Sequence, residues 1–313
     1  MGGQKRPMAQ LKSIIILSDK SSGSSACQDL LSELGPVRHV EQTRHFENET
    51  LYWTKAASAL GRPQRKMVDS EVPIPRQEAR SQLIDLLREN LDGFEVPPDD
   101  EELVIQGWRQ LCERYAPIFI EKSPHHLGQA SALELILEAA NALEDVDFLL
   151  IGLIRNPLDT IHSQYRRWKS PCAKVEEQWR VAYENLWRLK EESGLPVVIV
   201  RYEDMVSSLD PLRPVFDFCD VEPTAAMASR LHQGSVRTAR KDTGFGFVLQ
   251  EETRELAERY GYSREDTANE SHLLWPLLSR TARWLHKAER LARRSARRLL
   301  PRPRSVGPEE ESG

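Results

Sequence analysis

The chain has 313 residues, 40% of them hydrophobic and 29% charged, with a formal net charge of -5. That length buries a full-sized core and that composition belongs to a folded globular protein, which excludes fibrous and wholly disordered classes. The mild overall acidity gives no general affinity for nucleic acid, yet the charge is uneven. Ten Lys/Arg between Arg280 and Arg304 face a single acid, Glu289, so this stretch carries +9 and the remainder -14.

Cys27, Cys112, Cys172 and Cys219 lie far apart, without CxxC pairs or His at zinc spacing. A reducing, cytoplasmic setting and no metal site are the expectations. The apolar run Ile14-Ile15-Ile16-Leu17 is too short for a secretory h-region or a membrane span.

In chain order, Lys12 to Leu17 predicts a buried strand, and Cys27, Leu30, Leu31 and Leu34 a helix stopped by Gly35-Pro36. Val37 to Val40 predicts a second strand, and Asn48 caps a helix carrying Leu51, Tyr52, Ala56 and Leu60. Residues 61–115 read as a helical insertion or lid, with one helix over Glu78 to Leu91. Pro117 to Ile120, Phe148 to Ile154 and Val197 to Val200 predict three further strands, the middle one a continuous apolar run. A helix leads to Leu143 after the third strand. Strands alternating with helices imply an α/β fold: a parallel sheet with helices on both faces, ligands binding beyond the strands' carboxyl ends. One domain over 13–270 is expected, followed by a basic helix over 274–300 and a disordered tail over 301–313.

Two loops at such ends carry chemistry. Ser18-Asp19-Lys20-Ser21-Ser22-Gly23-Ser24-Ser25 joins the first strand to a helix. Small residues let N–H groups close around an anion, hydroxyls add donors, and the helix N-terminus adds partial positive charge. It is not a kinase-type P-loop, because the lysine precedes the glycine. The second loop follows Phe148–Ile154 and runs Arg155-Asn156-Pro157 to Ser163. Asn156 and Pro157 suit a helix start, and Ser163 lies about two turns further on, facing the same side. Arg155 offers a forked cation and Ser163 a hydroxyl to a phosphate.

Ser22-Gly23-Ser24-Ser25 resembles the 5′-phosphosulfate loop of the sulfotransferase family, with Ser21 where that family usually has a basic residue and Lys20 one position early. Arg155 and Ser163 match its 3′-phosphate motif position for position. Arg201-Tyr202-Glu203-Asp204 is similar to a further family feature, and Glu121-Lys122-Ser123-Pro124 to a stretch where carbohydrate sulfotransferases place a Lys near the sulfate. The resemblance implies a P-loop-like fold and a sulfotransferase using 3′-phosphoadenylyl sulfate (PAPS), without a metal, on a hydroxyl or amine of a small-molecule or carbohydrate acceptor. It implies donor contacts from Lys20, Ser21, Ser22, Gly23, Ser24, Ser25, Arg155 and Ser163, with Arg240 before Gly244-Phe245-Gly246 as a candidate third segment. Lys20 and Lys122 are the candidate charge stabilisers. Glu41 and His45, after the second strand, are the candidate bases, His125 and His126 weaker ones. Tyr52, Trp53 and Trp108 could stack on an acceptor or lie in the core. A nucleotide or adenylylsulfate kinase, and a catalytically weak scaffold, are the competing readings.

The C-terminal stretch has Arg283, Lys287, Arg290, Arg294, Arg297 and Arg298 as a charged face, while Trp275, Leu278, Leu285, Leu291, Leu299 and Leu300 are spaced too irregularly for one clean apolar stripe. Weak association with an anionic membrane is one expectation for it, simple solvation the other.

Overall fold

In this computed structural model, residues 10–231, 234–270 and 275–299 are described. Leu300 and 301–313 lie outside them, as do the side chains of Lys287, Arg290, Leu291, Arg294, Arg297, Arg298 and Leu299. Five strands, β1 (Leu11–Leu17), β2 (Val37–Arg38), β3 (Ile118–Lys122), β4 (Val146–Ile154) and β5 (Val197–Arg201), form one sheet in the order β2-β3-β1-β4-β5. Every neighbouring pair is parallel. Parallel strands require crossovers, and the crossovers cover both faces, so the runs Ile14–Leu17 of β1 and Phe148–Ile154 of β4 are free of polar side chains. Alternation along the strands feeds two cores. Ile14 and Ile16 pack with Ile118, Ile120, Leu149, Ile151, Leu153 and Val200 on one face. Ile15 and Leu17 pack with Phe119, Leu150 and Ile154 on the other.

The helices are α1 (Ser24–Leu31), α2 (Tyr52–Ala59), α3 (Arg76–Asn90), α4 (Asp100–Arg114), α5 (Ala130–Ala142), α6 (Pro157–Trp168) and α7 (Cys172–Glu192). They continue with α8 (Tyr202–Met205), α9 (Arg213–Cys219), α10 (Ala225–Ser229), α11 (Thr238–Lys241), α12 (Glu251–Arg259) and α13 (Trp275–Leu299). The α/β fold with a doubly covered parallel sheet agrees with the sequence-based expectation. Several details differ. The second strand stops at Arg38, and α2 starts at Tyr52, not after Asn48, because Glu47, Asn48 and Leu51 all have positive φ (60°, 58° and 53°) and kink the chain.

Residues 61–115 are also more than a lid. They hold both α3 and α4, and Leu83, Leu87, Leu103, Val104, Trp108 and Leu111 join the core on one face of the sheet. The Trp108 ring lies 4.6 Å from Trp53, 4.9 Å from Tyr52 and 5.1 Å from Phe119. All four rings are wholly buried, so Tyr52, Trp53 and Trp108 are core residues and touch no acceptor. The longest helix of the main body, α7, has no counterpart among the sequence-based elements. It packs against β4 through Leu186, where a side chain at Gly152 would come within 2.6 Å of it. Trp108→Ala should lower stability by about 3–5 kcal/mol, the usual cost of a buried Trp truncation. A lower denaturation midpoint with an unchanged slope is expected; a midpoint near wild type would contradict this packing.

Candidate functional site

The turns after β1, β3, β4 and β5 open at the same edge of the sheet, where ligands of such folds bind. A cavity of about 490 Å³ lies there, lined by Lys20, Ser21, Gly23, Ser24 and Ser25 from the first turn and by Arg155 and Ser163 from the turn after β4 and from α6. Its wall also includes His45, Glu47, Glu49, Asp69, Ser70, Glu71, Pro124, His125, Arg167, Trp168, Tyr202 and Ser235.

The first turn is shaped as an anion cradle. Ser21 (φ 63°) and Gly23 (φ 91°) are left-handed, and α1 follows with no side chain capping its first turn. Its N–H groups therefore remain available to a ligand. Gly23 is demanded twice over: by its φ and by the Tyr202 ring, 2.3 Å from where a Cβ would sit. The turn is tied down from below. Tyr183 Oη accepts the Asp19 N–H at 3.3 Å, lies 2.9 Å from Ser22 Oγ, and donates to the Leu153 carbonyl at 3.1 Å. Gln178 donates to Asp19 Oδ1 at 2.6 Å and Gln164 to the Lys20 carbonyl at 3.0 Å. Burial raises the Asp19 carboxyl to about 6, against the bonds from Gln178 and the loop.

The two candidate lysines differ sharply. Lys20 Nζ donates to the carbonyls of Val68 and Asp69, at 3.0 and 2.7 Å, across the cavity. Burial lowers its pKa, partly offset by Asp19 and Asp69. Lys122 has no solvent contact and donates to Ser25 Oγ at 3.0 Å and Glu49 Oε1 at 3.4 Å, with Glu47 at 3.9 Å. Ser25 in turn donates to Glu47 Oε2 at 2.6 Å. Of the two lysines, Lys122 is the one that bonds a hydroxyl of the cradle.

Arg155 donates to the carbonyls of Ser21 and Ser235, at 2.8 and 2.7 Å, and lies over the Tyr202 ring at 5.0 Å. Its Nε is buried with no hydrogen-bond partner among the described residues. A cradle of free N–H groups and a buried guanidinium with an unused donor together fit a ligand with two separated anionic ends. Asn156 accepts from the N–H groups of Leu158 and Asp159 and so caps α6, which aims Ser163 into the cavity.

Ser22 and Lys122 are buried behind the lining, held by Tyr183 and Ser25, and further candidates fall elsewhere. Glu41 is exposed, its N–H held by Asn90 and Tyr115. It follows the edge strand, two positions from β1, and does not reach the cavity. Arg240 lines a neighbouring cavity of about 450 Å³ with Arg237, Lys241 and Asp159.

Two histidines border the main cavity. His45 Nδ1 is 3.4 Å from Glu71, and burial, with Lys55 and Arg44 nearby, depresses its pKa to about 4. His125 Nδ1 is 3.9 Å from Glu49 Oε2, and burial, then Lys20, keeps its ring well below the usual histidine range. Burial raises Glu49, against the pull of Lys122. His126 instead sits in the core, between Thr54 and Glu121. Glu47, Glu49, Asp69, Glu71, Arg167 and Trp168 had no role in the motif-based reading. Among the described residues, no group of three or more His, Cys, Asp or Glu could hold a metal.

A parallel α/β sheet with an anion cradle after its central strand and a forked cation after the next defines an enzyme of anionic group transfer. The sequence places it further: residues 13–225 match the sulfotransferase family, and the chain belongs to that family and is a sulfotransferase. Among solved structures, the sulfotransferase domain of the Synechococcus PCC 7002 olefin synthase has the same fold. It gives a TM-score of 0.53 at 19% identity, over 83% of this chain and 98% of that one. A sulfotransferase domain from the curacin biosynthetic pathway gives 0.48 at 19% identity, over 80% and 97%. No curated protein matches the chain.

The depressed histidine has a consequence for stability. Unfolded His45 takes up a proton below its ordinary value of 6.5, while the folded residue refuses it until about 4. Its contribution is therefore complete above pH 6.5 and is lost as the pH falls through that window. NMR of the folded protein should show a neutral His45 ring at pH 6, and His45→Gln should flatten the fall in stability between pH 6.5 and 4. A ring titrating near 6.5 would contradict the burial described.

Proposed function

We propose that this sulfotransferase takes its sulfuryl group from PAPS and passes it to a hydroxyl or amine of a hydrophilic small-molecule or carbohydrate acceptor. The observation that carries this reading is that Gly23, Ser24 and Ser25 line the same cavity as Arg155 and Ser163. The first group suits the phosphosulfate end of the donor, the second its 3′-phosphate.

In the transfer, the bond from sulfur to the donor's phosphate oxygen breaks as the acceptor's bond to sulfur forms, and the acceptor proton leaves to a base. Negative charge grows on the departing oxygen, where preoriented donors contribute most. Lys122, Ser25 and the first N–H groups of α1 supply them, and the reading requires no metal ion. Glu47, which accepts from Ser25, yields that hydroxyl to the incoming anion. Lys20, bonded to the 68–69 backbone, shapes the acceptor side.

We assign the base to His125. The ring lines the cavity beside the cradle, burial keeps its pKa well below the usual histidine range and so leaves it unprotonated at neutral pH, and Glu49 Oε2 lies 3.9 Å from Nδ1. The acceptor wall of His45, Asp69, Ser70, Glu71, Pro124, His125 and Trp168 is mostly polar, which favours a hydroxyl-rich acceptor over an apolar one.

Arg155→Ala should raise the dissociation constant for 3′-phosphoadenosine 5′-phosphate about 10- to 150-fold, the worth of a charged hydrogen bond of about 1.5–3 kcal/mol. Saturating donor should restore most of the turnover. Calorimetry in chelator with unchanged affinity would refute the 3′-phosphate assignment. His125→Ala should lower turnover about 10²–10⁴-fold with donor binding intact, whereas His45→Ala should cost far less. The reverse order would move the base to His45.

A further inference from the structure

Helix α13 presents its apolar side outward. Leu277, Leu278, Trp284 and Leu285 are 65%, 55%, 68% and 56% exposed, the largest exposed apolar side chains among the described residues apart from Val248. Trp275 and Ser279 are buried, and Trp275 packs on Tyr165 and Phe245, at 5.0 Å from each ring. At about 100° per residue, Leu277, Leu278, Trp284 and Leu285 span about 120° of the helix, and the docked Trp275, Ser279 and Ala282 lie on the other side. The stripe that looked irregular is therefore regular. Leu277 and Trp284 belong to it, and Trp275 does not.

An ordinary surface helix turns such an arc inward. Here, among the described residues, the inward side is taken by Trp275, Ser279 and Ala282, and the arc is left in solvent. Arg280 borders the arc, Arg283 lies about 60° further round toward the docked side, and the sequence repeats basic residues at 287, 290, 293, 294, 297 and 298, against Glu289 alone. Among the described residues, no helix is long and apolar enough to cross a membrane.

We infer that α13 docks this protein on an anionic lipid bilayer, lying in the interface with Leu277, Leu278, Trp284 and Leu285 in the acyl boundary and its basic side chains at the headgroups. Charge complementarity selects this occupant. The rest of the chain carries a net negative charge and is repelled by such a surface, so attachment must come through the one segment of opposite sign. A second copy would bring two strongly basic helices together at the cost of mutual repulsion. Nucleic acid would neutralise the basic residues and leave Trp284 and its neighbours in water. The inference stands apart from the assignment of donor and base.

The test uses the full chain with vesicles of phosphatidylcholine alone or with phosphatidylserine. At low salt it should co-sediment with the phosphatidylserine vesicles and only weakly with the neutral ones. Trp284→Ser with Leu285→Ser, both exposed and remote from the cavity, should weaken this at least about tenfold and leave transfer to a soluble acceptor unchanged. Circular dichroism and thermal unfolding like wild type confirm that the variant folds. Absence of binding to phosphatidylserine vesicles at low salt would overturn the inference, as would binding that the double variant leaves intact. A lipid-free dimer that the double variant dissolves would also overturn it, by making a second copy the occupant.

Discussion

Lys122 is the group around which the site is arranged. An ammonium with no solvent contact carries a desolvation cost of several kcal/mol, which only close acceptors can offset. Ser25, Glu49 and Glu47 are those acceptors, drawn from two separate segments. Ser25 brings the turn after the central strand, and the glutamates bring the segment that leads into α2. To reach the lysine, that segment adopts left-handed backbone at Glu47, Asn48 and Leu51, at roughly 1–2 kcal/mol for each such residue. The compensation of a buried charge outweighs this strain. The adjacent Glu121 answers the same problem with hydrogen bonds from Thr50 and Ser123 at 2.6 and 2.5 Å, and with the His126 ring 3.3 Å from its other oxygen. Two neighbouring residues of β3 thus bind the start of α2 to the end of the sheet.

A second network holds the cradle from the opposite side. Asp19, Gln164, Gln178 and Tyr183 join the turn after β1 to α6 and α7 through buried hydrogen bonds. Removing any one member would strand its partners without water to replace them. Positions that contact no ligand therefore control where the N–H groups of the cradle point. The same helix α6 carries Gln164 into this network and Ser163 into the cavity, so the cradle and the wall around Ser163 are tied to one helix.

Most of the sheet was legible because its strands are short apolar runs that end in small or charged residues, as Ile14–Leu17 before Ser18 and Phe148–Ile154 before Arg155. The two turns that line the main cavity were legible for the same reason: they are local, and their residue types sit at fixed offsets from a strand end. Helix α7 was legible in principle, since Val175, Trp179, Tyr183, Leu186 and Leu189 recur at helical spacing, but no motif drew attention to it. The pairing of His125 with Glu49, and of Lys122 with Ser25, was out of reach. It depends on segments some 75 to 100 residues apart meeting at one sheet edge, and side-chain spacing within each says nothing of the other. The unassigned wall at Asp69–Glu71 lies in irregular chain, where Val68 is placed by a bond from its N–H to Gln178. Nothing near it in sequence announces that bond.

The contact between Gly23 and the Tyr202 ring bears on how the chain acquires its site during synthesis. The glycine leaves the ribosome early and the tyrosine 179 residues later. Until β5 has added itself to the sheet and α8 has turned the ring inward, the turn after β1 lacks the surface that limits its conformations. Arg155, which stacks on the same ring, is equally without its support. The nascent chain can thus form β1, β3 and β4 and still have no competent anion cradle. The site closes as a late event, once the last strand has locked its first loop in place.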